Sequence, residues 1–207
     1  MRMDKVFVIG RDPVPQLVRL SASEEFRAVF VALPGLKDKL CLELDIDGPG
    51  CKVDIAGLYV CDGDDRLEME ITVKHNSGSS ESVQQFLGVA GGSSKAVFNG
   101  LVYVAPGAGK TKARQESRSI LLDSGAFVES RPQLEIYADD VECSHGCTSG
   151  FLSEEELFYM RSRGIPQAEA RVLQMVSFLA PVLAMVPDET RRTELSEQLE
   201  TAVRSVL

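Results

Sequence analysis

Residues 39–73 read KLCLELDIDGPGCKVDIAGLYVCDGDDRLEMEITV, and their patterning decides the fold class. Leu40, Leu42 and Leu44 alternate with Cys41, Glu43 and Asp45, the period of two that a half-buried strand requires. Asp47-Gly48-Pro49-Gly50 interrupts the alternation, Val53 and Ile55 restart it, and Asp62-Gly63-Asp64-Asp65 stops it again. Leu67, Met69, Ile71 and Val73 then alternate with Glu68, Glu70 and Thr72, the cleanest strand in the chain.

Outward from this stretch the same texture continues. Strand-like pieces fall at 96–98, 101–104, 120–122, 126–128 and 134–137, with less regular ones at 5–9 and 26–33. Many short strands between Gly, Asp, Asn and Ser turns predict a sandwich, a barrel or a β-solenoid. No fixed repeat length is visible, so repeat counting does not choose among them.

The glycines divide the chain. Of 17, 16 precede residue 151 and only Gly164 follows. Glycine is costly in helices and useful in turns, so a β body over 1–152 gives way to a helical segment over 153–207. Ser153-Glu154-Glu155-Glu156 is a capping box, Gly164 suits the position that stops a helix, and Pro166 suits the first position of the next. That second helix runs to Met185 and is expected to kink at Pro181. A third, 188–206, aligns Leu195, Leu199, Val203 and Leu207 on one face, available to the preceding helix or to a partner protein.

The 207 residues carry 31 acidic and 22 basic side chains, a net charge of −9, which argues against a nucleic-acid partner. A composition 44% hydrophobic and 26% charged suits a packed core rather than disorder. Val6 to Ile9 is too short for a secretory apolar segment, and 178–187 is too short to span a bilayer, so no membrane is expected. Five cysteines, an odd number, fit free thiols in a reducing cytoplasm. The ten-residue spacing of Cys41, Cys51 and Cys61 reads as small buried residues in successive strands.

APGAGKT at 105–111 looks like a phosphate-binding loop, but the glycine such a loop needs five positions before Gly109 is Val104. A Gly-rich turn between strands is the better reading, and no nucleotide is assigned to this chain. His75 ends a strand, where a turn histidine bonded to local backbone is expected.

The chemically loaded segment is Asp139-Asp140-Val141-Glu142-Cys143-Ser144-His145-Gly146-Cys147. In a strand Cys143, His145 and Cys147 face one side, and two thiols with an imidazole suit zinc or iron. Residues i and i+4 of a flat strand lie about 13 Å apart, so Cys143 and Cys147 do not share one ion unless Gly146 bends the chain. Cys143 and His145 are near enough to converge, and a labile site completed by another chain follows better than a closed one.

At this segment the sequence becomes recognisable. PQLEIYADDVECSHG at 132–146 and FLSEEELFYMRSRGI at 151–165 closely resemble the SufB/SufD family, its SufD branch in particular. His75, Phe98-Asn99-Gly100, Ala108, Lys110-Thr111, Ala113-Arg114-Gln115 and Leu121-Leu122 ahead of Ala126 match the same order and spacing. The likeness covers roughly 70–180 well, whereas 1–66 shares only strand character.

The resemblance implies a right-handed parallel β-helix followed by a C-terminal α-helical segment. It implies a non-catalytic scaffold in iron–sulfur cluster assembly, with a cluster present transiently. The implied partners are a SufC-like ATPase, docked on the helices where Leu195, Leu199 and Val203 lie, and a SufB-like subunit or a second copy, paired through the β-helix. His145 inherits an interface role in cluster formation, with Cys143 its neighbouring thiol. Two departures stand out. Cys147 replaces the family's usual alanine, and the chain is too short for the family's N-terminal helical region, as expected of a compact paralogue or of a piece of a longer protein. The alternative is a structural, oligomerising β-helix that binds partners without handling iron.

Overall fold

A computed structural model describes residues 2–207. Eleven strands wind into a β-solenoid of two parallel sheets. β1 (Arg2–Val8), β3 (Glu25–Ala32), β5 (Lys52–Cys61), β7 (Glu81–Ala90), β9 (Thr111–Leu121) and β11 (Val141–Gly150) stack in that order in the first sheet. β2 (Leu17–Leu20), β4 (Lys37–Ile46), β6 (Arg66–His75), β8 (Lys95–Val104) and β10 (Phe127–Ile136) stack in the second. Each consecutive strand crosses to the other sheet, so a neighbour within a sheet is one full turn away, and about five turns result.

The registers explain why no repeat length was visible. In the first sheet Arg2 pairs with Glu25, Glu25 with Lys52, Lys52 with Glu81, Glu81 with Lys112, and Thr111 with Val141, giving offsets of 23, 27, 29, 31 and 30 residues. From β4 to β9 strand length barely changes and the turns take up most of the difference.

Side-chain alternation builds the interior. In β6 Leu67, Met69, Ile71, Val73 and His75 point inward and are buried, with partly exposed residues between them. β5 is buried on both faces: Val53, Ile55 and Tyr59 point inward, whereas Ala56, Leu58 and Val60 point outward under the helices. Glycines admit the large interior groups. A Cβ at Gly88 would lie 1.8 Å from the Tyr59 ring, and one at Gly100 would lie 2.4 Å from Gln115 Nε2.

Three helices follow: α1 (Glu154–Ser162), α2 (Gln167–Leu183) and α3 (Glu189–Ser205). Ser153 caps α1, its hydroxyl accepting from the Glu156 amide at 3.3 Å, as the sequence predicts. Pro166 is the cap of α2 and not its first residue, and the helix continues through Pro181 near its C-terminus. α2 packs on β5 and β7, and α3 on α2 and β5, joining Val29, Leu58 and Val89 in one core. Leu195, Leu199 and Val203 belong to that core at 0% exposure. The face assigned to a partner is therefore consumed by the chain's own packing. No helix among the described residues is long and apolar enough to cross a membrane.

Candidate functional site

The solenoid ends at β10 and β11, each paired with only one neighbour. Among the described residues no further rung stacks on the free edges of these two strands, which leaves their inward-pointing residues open at this end. On β11 that face carries Cys143, His145 and Cys147, each continuing a file of residues that runs back through the interior. Cys143 stacks on Ala113 and Ser82, His145 on Gln115 and Gln84, and Cys147 on Ser117 and Phe86.

The interior changes character towards this end. The early turns are filled by Phe26, Phe30, Leu40, Leu42 and Ile55. Further along, Ser82, Gln84, Gln115, Ser117 and Ser119 are buried in their place. They are tied together: His75 Nε2 lies 2.8 Å from Ser82 Oγ, Gln115 Nε2 donates to Gln84 Oε1 at 3.0 Å, and Ser117 Oγ lies 2.9 Å from Ser130 Oγ. Sequence reading missed this file because polar residues at alternate positions of β7 and β9 look like a solvated face. The available signal was the opposite parity of Leu87 and Val89, which face the helices.

Cys143 is half-buried, and burial pushes its thiol up from 9.0, with a backbone contact from Ala113 working against the shift. His145 and Cys147 are exposed. Among the described residues no three His, Cys, Asp or Glu side chains converge on a point where they would hold a metal ion. The Cys143 thiol and the His145 imidazole, roughly 7 Å apart along one strand face, are donor types that iron accepts, and two donors alone leave a coordination shell open. The last turn also leaves Phe127, Ile136 and Tyr137 exposed on and just after β10.

The other expected residues are placed differently. His75 is not a turn histidine bonded to backbone; it is fully buried, and burial pushes it down to about 4. The cysteine spacing marks one strand's length, since Cys51 and Cys61 bracket β5, while Cys41 lies partly exposed on β4 beside Glu70. APGAGKT is a turn between β8 and β9, with the buried Thr111 hydroxyl donating to the Ala108 carbonyl at 2.8 Å.

With Leu195, Leu199 and Val203 buried, the unpartnered apolar surface of the helical segment lies elsewhere. Phe151 is 76% exposed and Phe158 71%, with Tyr159 and Leu173 also open. Phe151, Tyr159 and Leu173 border a groove of about 960 Å³ between α1, α2 and the ends of β9 and β11.

Residues 16–178 match the family described as "SUF system FeS cluster assembly, SufBD core domain". The iron–sulfur cluster assembly protein SufD of Escherichia coli is 42% identical over 117 residues, covering 56% of this chain and 28% of that protein. Protein ABCI7, chloroplastic, of Arabidopsis thaliana is 33% identical over 192 residues, covering 92% of this chain and 39% of that protein. SufD of Bacillus subtilis is 33% identical over 157 residues, covering 76% and 36%. The chain spans less than half the length of each of these relatives.

Proposed function

This chain belongs to the SufBD core family of the SUF iron–sulfur cluster assembly system, and from that membership we propose that it is a non-catalytic scaffold subunit on which a cluster is assembled as cargo. The observation that carries the reading is the placement of Cys143 and His145 together on the uncovered inward face of β11. Thiolate and imidazole are suitable donors for iron, and two of them leave positions for sulfide and for ligands from another protein.

The second protein is a SufB-like subunit or another copy of this chain, meeting the open edges of β10 and β11. Unpaired strand edges flanked by exposed Phe127, Ile136 and Tyr137 suit such a contact. A SufC-type ATPase docks on the groove beside Phe151 and Tyr159 and supplies the nucleotide chemistry, which the turn at 105–111 does not.

Anaerobic reconstitution with iron and sulfide, alone and with a SufB-like subunit, tests the assignment. Cluster absorbance is expected to fall in Cys143→Ala and in His145→Ala. Equal absorbance in wild type and both variants overturns it and favours a structural β-helix that does not handle iron.

A further inference from the structure

Gln115 is the buried neighbour of His145 in the adjacent strand, and the two face the same side. In-register residues on neighbouring strands lie about 4.8 Å apart, within reach of a side-chain hydrogen bond. The Gln115 amide is held from below, because its Nε2 donates to Gln84 Oε1 at 3.0 Å. It is also held laterally, lying over the space that Gly100 leaves on the opposite sheet. The oxygen of a planar amide diverges from its nitrogen, so Gln115 Oε1 opens away from Gln84. That oxygen is buried and has no partner. A buried carbonyl oxygen without a donor is costly, and the strand stacked next above it offers an imidazole with an N–H to give.

We propose that Gln115 is a positioning residue for His145: its side-chain oxygen accepts a hydrogen bond from His145 Nδ1–H, fixing the tautomer that leaves Nε2 bare at the open end of the solenoid. The inference deepens the reading of His145 as an iron ligand and rests on it for its purpose, though not for its test. The exposed His145 ring is free to take the staggered rotamer that the bond requires. Nδ1 is the nitrogen nearer its own strand, and Nε2 is the one that reaches a second protein. A ligating histidine whose other nitrogen donates to a carbonyl oxygen presents its lone pair in a set direction, and the hydrogen bond to Gln84 braces that acceptor from behind.

The test is a multiple-bond ¹⁵N–¹H correlation spectrum of the ¹⁵N-histidine-labelled full chain, without iron, at a pH well above the imidazole range. In wild type His145 is expected in the Nδ1–H form, the minor tautomer of free histidine. Gln115→Met, which keeps the length and removes the acceptor, is expected to return His145 to the Nε2–H form. Gln115→Glu, which keeps an acceptor, is expected to retain Nδ1–H. His75, the only other histidine, reports in the same spectrum whether the interior is intact. Wild-type His145 in the Nε2–H form overturns the proposal whatever the variants do, and so does an unchanged tautomer in a folded Gln115→Met. Because no iron is present, loss of this result is separate from loss of the cluster-binding reading, which reconstitution decides.

Discussion

The Tyr59 hydroxyl lies 2.7 Å from Ser119 Oγ, although the two residues sit two turns of the solenoid apart. Gly88 is the residue between them in the file, and the Tyr59 ring occupies the volume its side chain would need. The contact staples three successive strands of the first sheet from inside.

Gly88→Ala is therefore expected to displace the ring and break the staple. Overpacking costs typically about 1–3 kcal/mol, and an abandoned buried hydroxyl adds to it. Tyr59→Phe keeps the ring and orphans Ser119 Oγ, for a smaller loss of about 1 kcal/mol. Urea unfolding checks both, and a Gly88→Ala midpoint equal to wild type contradicts the packing.

His75 gives the fold an acid-sensitive element. Burial pushes it from 6.5 down to about 4, so the folded protein keeps it neutral. As pH falls below 6.5 the unfolded chain binds a proton that the folded one refuses. Stability is thus fully present above that pH, falls between about 6.5 and 4, and levels off below, with a total near 3 kcal/mol. His75→Gln is expected to flatten this part of the pH profile. Parallel stability curves for the two proteins, from about pH 7 to about pH 4, count against it.

Two apolar sites on the helices are expected to respond in opposite ways. Leu199→Ala empties a fully buried position between α3 and its neighbours and should lose about 2–5 kcal/mol. Tyr159→Ser lies on an exposed face that lines the groove and should change stability by no more than about 0.5 kcal/mol, yet abolish capture of a SufC-type ATPase. Retained capture by Tyr159→Ser removes the groove from consideration.

Ile136 stands on the inward side of β10 at the uncovered end. A charge there opposes stacking of another sheet edge, so Ile136→Lys is expected to weaken self-association or pairing with a SufB-like subunit by on the order of tenfold or more. Sedimentation of wild type and variant across a concentration series reads the difference. Identical dimer populations place the contact elsewhere.

The strands that sequence reveals are those whose inner face is apolar and outer face polar. β6 meets both conditions, and its alternation was plain. β7 violates both, with Ser82 and Gln84 inside and Leu87 and Val89 outside under α2, and no strand pattern shows there. β8 and β10 each look like two pieces in the sequence, because Asn99-Gly100 and Arg131-Pro132 look like turns. Gly100 instead makes room for Gln115, and Pro132 is tolerated because β10 is an edge strand. That Cys143 and His145 share one face of a strand is legible from parity alone. The support beneath His145 is not, since pairing Gln115 with it needs the 30-residue register between β9 and β11. The Leu195, Leu199 and Val203 face was correctly seen as apolar, but amphipathicity does not say what covers a helix.

The unequal registers give the molecule a ruler graduated in turns of the coil. Residues added to a loop between strands bulge outward and leave the stacking of the strands unchanged, as the offsets of 27 to 31 between equivalent positions already show. Separation between the interior histidine and the terminal one is set by how many layers lie between them, at about 4.8 Å each, and not by how much chain does. Loop length can therefore drift through evolution, or be engineered with inserted tags, without moving the donor atoms at the mouth. Deleting one whole layer would instead bring the mouth closer to the helical side wall in a single discrete step.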